Sequence, residues 1–235
     1  METIENSLSN NRVPKVSVIS IAISADEFKP TIEQLKLQTY QDIEFIGEAG
    51  GSIPEAWNRA IQRAKGEIIV FTETDARAIN EYWLEEMVTG VSDPKTIVKG
   101  LEITSTSIRL SNLAVHREVM VNNPFTESFR WIADIELFSR LKEKGFHITE
   151  VPKAVIINLS KAHNQHAFKR AFLYGFYWGR LRRRFVDPVE IPGISFAYNR
   201  LKVAVYQLCG MAIGAIIYLP ERRKRIPYPL TQTVE

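Results

Sequence analysis

Two carboxylates, Glu73 and Asp75, stand one residue apart where the apolar run Ile68-Ile69-Val70-Phe71-Thr72 ends. On an extended segment, residues i and i+2 point the same way, so both acids would meet at the C-terminal end of a strand. Paired hard oxygen donors of this kind suit Mg2+ or Mn2+, ions that keep several waters and bridge nucleotide phosphates to one or two protein carboxylates. The same two residues read as solvated acids in a turn would do no chemistry. The elements around them decide between the two readings.

Those elements alternate. Residues 16–23 are short, apolar and β-branched, as suits a strand buried on both faces of a parallel sheet. Residues 31–38 carry Ile32, Leu35 and Leu37 among polar residues, which predicts a helix, and residues 43–46 predict a second strand. Gly50-Gly51-Ser52 reads as a turn, and Pro54 can open a helix in which Ala56, Trp57, Ala60, Ile61 and Ala64 recur at three- and four-residue steps before Gly66. A strand over 67–71 leads to Glu73, and Asn80 can cap a helix carrying Trp83, Leu84, Met87 and Val88. Residues 97–108 read as strand, residues 133–144 as a helix stopped by Gly145, Val151-Pro152 with 155–157 as a short strand, and 166–185 as a long helix. This order predicts an α/β fold, a central mostly parallel sheet flanked by helices. Ligands of such sheets collect beyond the strands' C-terminal ends, where Ser24, Gly50 to Ser52 and Glu73 to Asp75 all fall.

Composition narrows the class. A chain of 235 residues holds one sizeable α/β domain with an appendage. The net charge of +3 is too mild for a nucleic-acid partner, although Arg180, Arg182, Arg183 and Arg184, then Arg222, Arg223, Lys224 and Arg225, are gathered in the last quarter. The single cysteine, Cys209, can form no internal disulfide, and residues 1–13 lack the apolar core of a secretory signal. The expected location is cytoplasmic, with the inner face of the membrane as an alternative.

Val16-Ser17-Val18-Ile19, Leu35 to Tyr40, Glu73-Thr74-Asp75 and Ala133-Asp134-Ile135-Glu136-Leu137 follow one another in this order, and by them the chain, from Val16 to about Arg184, resembles the family 2 glycosyltransferases, which have a nucleotide-sugar-binding GT-A fold and invert the sugar they transfer. Val16-Ser17-Val18-Ile19 resembles that family's first strand, and Leu35-Lys36-Leu37-Gln38-Thr39-Tyr40 with Glu44 and Ile46 its following helix and second strand. Asn58, ahead of Ala64-Lys65-Gly66-Glu67, sits where the family carries a polar residue, and Glu73-Thr74-Asp75 stands at its metal-binding Asp-x-Asp position. Ala114 to Val119 and Phe125-Thr126-Glu127-Ser128-Phe129 are similar to the segment before the acceptor site. Ala133-Asp134-Ile135-Glu136-Leu137, with Arg140-Leu141 and Gly145, resembles the Glu-Asp-x-Asp/Glu-Leu helix start.

The resemblance implies an inverting glycosyltransferase that uses Mn2+ or Mg2+ and a nucleotide sugar, often UDP-linked. Asp75 with Glu73 would hold the metal on the donor diphosphate, and Ser24, Glu48 and Asn58 are the further candidate donor contacts. Asp134 would be the base that takes the acceptor proton, and a helix N-terminus favours its charged form. Five departures, among them Glu73 in place of the first Asp of Asp-x-Asp, leave the donor open and keep a non-catalytic nucleotide-sugar-binding or scaffold protein as the alternative. Ala49 and Gly50 stand where the family has aspartates, and Ser24 ends an unusual first strand. Ala133 replaces the acid before the base, and Asn158 stands near an expected histidine, for which His163 or His166 are substitutes. The implied layout is a disordered tail at 1–13, a GT-A catalytic domain at 14–160 and a C-terminal helical extension at 161–235.

The extension carries its own signal. Lys169, Arg170, Phe172, Tyr174, Phe176, Tyr177, Trp178 and Arg180 interleave cations with aromatics, as an interfacial helix on anionic lipid would. Residues 203–219 form an uncharged run at the short edge of what spans a bilayer. It can lie on a membrane, span it, or pack on the catalytic domain or a second copy as a homodimer. A glycan or lipid-linked acceptor follows from the membrane reading.

Overall fold

Each apolar run splits its side chains between two cores. In the computed structural model, which describes residues 3–7, 15–103, 110–159, 167–185 and 208–214, eight strands form one sheet. They are β1 (Thr3–Ser7), β2 (Val16–Ala22), β3 (Ile43–Ala49), β4 (Ile68–Thr72), β5 (Ala76–Ala78), β6 (Thr96–Glu102), β7 (Asn112–His116) and β8 (His147–Asn158). Their order is β1-β3-β2-β4-β7-β6-β8-β5. The helices are α1 (Lys29–Lys36), entered through a 3-10 turn at Ala25–Phe28, α2 (Ile53–Arg63), α3 (Trp83–Gly90), α4 (Arg117–Asn122), α5 (Ala133–Glu143) and α6 (Ala167–Arg184). The chain divides into two compact units, Met1–Gln165 with Val189–Asn199, and His166–Pro188 with Arg200–Glu235.

In the first unit, Ile69 and Phe71 of β4 join Trp57, Ala60 and Ile61 of α2 and Leu137, Phe138 and Leu141 of α5 on one face. Ile68 and Val70 join Phe28, Leu35 of α1 and Trp83, Leu84 and Met87 of α3 on the other. A period of two on the strands therefore feeds two helical layers. A void of about 10 Å³ among Phe71, Leu113, Leu137 and Leu141 lies inside the first core and is too small for a ligand.

The sheet is mixed, not mostly parallel as expected. β2 pairs in parallel with β3 and β4, and β6 with β8, whereas the β1–β3, β4–β7, β6–β7 and β5–β8 pairs are antiparallel. The chain between Glu102 and Asn112 is too short for a crossover, so β7 must return beside β6 in the opposite sense. Residues 3–7, expected in a disordered tail, form edge strand β1 against Glu44–Glu48 of β3. Backbone pairing on an exposed ladder creates that strand, and its sequence carries no strand pattern. β8 is longer than the two apolar pieces suggest because residues 152–154, including Pro152, fall in a bulge opposite Gly100 and Leu101.

Gly66 does not cap α2. The helix ends at Arg63, and Gly66 is needed because a Cβ there would lie 2.5 Å from Ser17 N of the central strand. Gly145, with φ +81, does end α5 in the left-handed region as expected.

In the second unit, the helical residues 208–214 pack against α6. A Cβ on Gly210 would fall 2.1 Å from Phe172 O, so the two backbones meet directly. Among the described residues no helix is long and apolar enough to cross a membrane. Expectations for His163, His166, the basic cluster at 222–225 and most of the 203–219 run lie outside the described residues.

Candidate functional site

β2, β3 and β4 run parallel, so the loops that follow Ala22, Ala49 and Thr72 leave one edge of the sheet. β6 and β8 run the same way, being reached through antiparallel β7, so Glu102 and Asn158 end at that edge too. α5 closes at Gly145, just before β8 begins at His147. Its 11 residues, about 16 Å long, therefore bring its N-terminus and Asp134 back to the same edge. The loops after these strands therefore gather at one edge of the sheet, the edge at which ligands of such folds collect.

Glu73 and Asp75 are not on an extended segment. β4 stops at Thr72, and Ala76 N donates to Glu73 O at 3.1 Å, which closes a turn. The same-side argument from strand alternation therefore fails; the acids share a turn that carries the chain from β4 to β5 on the far edge. The end of β8 holds this turn. Leu159 N donates to Asp75 O at 2.8 Å, and Asn158 Nδ2 approaches Glu73 Oε2 at 3.5 Å. Asn158, where the resemblance expects a histidine, thus touches one of the paired acids. Both carboxylates are half-buried. Among the described residues no three His, Cys, Asp or Glu side chains converge on a metal position. Two carboxylates on one turn are hard oxygen donors of the kind that suits Mg2+ or Mn2+, whose remaining ligands are water and phosphate.

Three other candidates make contacts within the fold. Ser24 caps the 3-10 turn: its N–H and Oγ both reach Glu27 Oε1, at 2.9 and 3.2 Å. Glu48 is 2 % exposed, with Oε2 accepting from Arg59 Nε at 3.0 Å and Oε1 from Arg63 Nη1 at 3.3 Å. Asn58 accepts the Phe125 N–H at 2.8 Å and donates to Phe125 O at 3.0 Å, so both ends of its amide tie α2 to the loop that precedes α5.

Asp134 is half-buried in the first turn of α5, and its Oδ1 accepts the Ile135 N–H at 2.9 Å. Ala133 is buried in the core with Trp57 and Leu137, so an acid in its place would sit among apolar side chains. Glu136, fully buried, forms a two-pronged pair with Arg140, whose Nη2 also donates to Pro124 O at 2.7 Å. This pair braces the loop ahead of Asp134.

Several edge residues carry no sequence motif. Arg59 and Arg63 meet Glu48 across 11 and 15 residues of chain, and Ser111 Oγ donates to buried Glu102 at 3.1 Å. Asn112 takes Trp83 Nε1 at 2.8 Å and donates to Ala154 O at 2.9 Å beneath the crevice. The i, i+4 spacing of Glu136 and Arg140 is the one pairing here that a sequence rule could have found.

Solved structures share this architecture. A mannosyltransferase from Pyrobaculum calidifontis, in complex with GDP-Man and Mn2+, is similar over 88% of this chain and 74% of its own, with a TM-score of 0.59 and 15% identity. GalNAc-T7, with UDP, GalNAc and Mn2+, matches 73% of this chain and 50% of its own, at TM-score 0.55 and 9% identity. Glucosyl-3-phosphoglycerate synthase from Mycobacterium tuberculosis, in complex with Mn2+, UDP-glucose and glycerol 3-phosphate, matches 69% and 78%, at TM-score 0.53 and 15% identity. No family model and no curated protein sequence matches the chain. At these identities the likeness shows the fold, which is GT-A-like.

Proposed function

We propose that this chain transfers a sugar, with inversion, from a nucleotide-sugar donor to an acceptor hydroxyl. The observation that carries the reading is the convergence of the Glu73–Asp75 turn, the Gly50–Ser52 turn and the start of α5 on one edge of a GT-A-like sheet. Residues 14–160 form the catalytic domain in this reading. Glu73 and Asp75 hold Mg2+ or Mn2+, which when bound offsets charge on the leaving nucleoside diphosphate. Asp134 takes the proton from the acceptor hydroxyl as that oxygen bonds to the anomeric carbon and the bond to the diphosphate breaks. Attack from the face opposite the leaving group inverts the centre. The relatives in fold that were solved with GDP-Man or UDP-glucose and Mn2+ support the donor class, and a UDP-sugar is the first choice.

The acceptor is amphipathic and held at a membrane surface. Exposed Ile23, Ile53, Ile103 and Trp131 flank segments that reach the crevice edge. In the second unit, Arg180 lies 5.7 Å from the Tyr177 ring centroid and Arg182 5.8 Å from that of Trp178, while Leu208 and Ile213 are exposed. Cations stacked on rings beside open apolar residues suit anionic headgroups over acyl chains.

The test is thermal stability against nucleoside diphosphates and nucleotide sugars with and without Mn2+, followed by turnover. A metal-dependent shift for one nucleotide, lost in Asp75→Ala, is expected. Asp134→Asn should keep that shift and lose transfer; full turnover in Asp134→Asn would remove the base. A non-catalytic binder is the second reading, favoured by the locked Glu48, which leaves the nucleotide base without that acid. Slow donor hydrolysis to free sugar separates the two, because a binder releases none.

A further inference from the structure

Arg59 stands on the second turn of α2, and its guanidinium bonds two neighbours and lies beside a third. Nε donates to Glu48 Oε2 at 3.0 Å, Nη2 donates to Gly50 O at 2.9 Å, and a Cβ added to Gly51 would fall 3.3 Å from Nη1. Glu48, 2 % exposed and also paired with Arg63, fixes the plane of the fork from below. Gly50 and Gly51 have φ of 78° and 85°, two left-handed residues in succession. Glycine reaches such angles without steric cost but is held there by nothing of its own. The turn is instead tied at both polar ends of Gly50: its N–H donates to Ala22 O of β2 at 3.1 Å, and its carbonyl accepts from Arg59.

We propose that Arg59 is a positioning residue that holds the Gly50–Ser52 turn in the shape that admits the donor. The inference rests on the donor-transfer reading above. A turn that samples several shapes binds more weakly in proportion to the fraction that is competent. Arg59 touches no reacting atom, so its loss acts on donor affinity and not on the chemical step. Lysine cannot replace it, because a single ammonium lacks the planar fork that bridges a carboxylate and a carbonyl.

The experiment uses the full chain, Arg59→Lys, and the doubly neutral Glu48→Gln/Arg59→Gln, which leaves no unpaired carboxylate should the first variant fold poorly. Amide exchange of Gly50 is read by NMR, and donor KM and kcat are measured with whichever nucleotide sugar stabilises the unaltered chain. Gly50 exchange and KM should each rise about tenfold or more, as expected when the competent fraction falls to a tenth. The kcat should stay within about threefold, the signature of lost binding without lost transition-state contact. Folded variants with unaltered Gly50 exchange and KM overturn the proposal, as does a fall in kcat at constant KM. An unaltered chain that binds no nucleotide overturns the transfer reading and the donor role of Arg59 with it, whereas faster Gly50 exchange in the variant still upholds its hold on the turn.

Discussion

Replacing Asn58 with alanine separates a donor contact from a structural latch. Its amide satisfies both the N–H and the C=O of Phe125, at 2.8 and 3.0 Å. Phe125 is 2 % exposed and packs edge-on against Phe71, with ring centroids 6.3 Å apart. Truncation therefore strands a backbone donor and an acceptor beside a ring that has little room to move. A buried polar group left without a partner costs about 1–3 kcal/mol. The site is part-buried, so water recovers a share of this, and the two groups together should cost about 2–3 kcal/mol. For a domain of this size that is a fall in Tm of about 4–12 °C. The assay is urea and thermal unfolding of the purified variant, with nucleotide binding measured below the transition. Asn58→Asp adds a second reading, because it keeps the acceptor for the Phe125 N–H but turns a carboxylate toward Phe125 O and Glu127, now 3.4 Å from the amide. It should be no more stable than alanine near neutral pH and should recover as acid protonates the new carboxyl. An Asn58→Ala variant with unchanged unfolding midpoints and weakened nucleotide binding would refute the latch and restore Asn58 as a donor contact.

Two further outcomes test the frame around the crevice. Gly66→Ala would press a methyl to 2.5 Å from Ser17 N and 2.6 Å from Val16 C, both backbone atoms of the central strand. The cost should reach or exceed the usual overpacking penalty of about 1–3 kcal/mol, and a Tm within about 1 °C of the unaltered chain would refute that contact. The Glu55 carboxyl is held below its usual range, chiefly by the Ser52 N–H that it accepts. Because the folded value is lowered, this cap of α2 is complete above the ordinary glutamate range and is lost as pH falls through the lowered value. The Ser52 amide, followed by NMR, should titrate below the ordinary range; a midpoint at or above it would exclude the bond.

What was legible in the sequence follows its periodicities. Strands β2 to β4 and helices α2 and α5 were readable because their apolar residues keep one period over a full element, and the edge at which the loops gather follows from parallel order alone. β7 was not readable, since Leu113, Ala114 and Val115 make a run too short to distinguish from a loop. β1 was hidden because ladder bonds are made by any backbone. The acids at 73, 75 and 134 fall at the edge where the loops gather, as their place in the chain order implies, but the strand geometry expected for the first two was wrong, since nothing between Thr72 and Ala76 marks the turn. The internal partners of Glu48 and Asn58, namely Arg59, Arg63 and Phe125, were not legible because they are fixed by folding and not by spacing.

The same distinction says which residues at the edge can be removed without harming the fold. The turn of Glu73 and Asp75 is held by main-chain bonds, from Ala76 N to Glu73 O and from Leu159 N to Asp75 O. Removing the Asp75 carboxylate leaves both bonds in place. Glu48 is the opposite case, since its two oxygens neutralise Arg59 and Arg63 inside the fold. Breaking a buried pair by removing one partner costs about 3–5 kcal/mol, and less here because the two arginines are about a third exposed. Asp75→Ala should thus melt within about 1 °C of the unaltered chain, a surface-like change, while Glu48→Ala should lose several degrees. Comparing the two melts requires no ligand and comes before any binding assay. Equal destabilisation would mean that the Asp75 carboxylate belongs to the scaffold, and loss of a nucleotide response in that variant could then no longer be read as loss of a metal ligand.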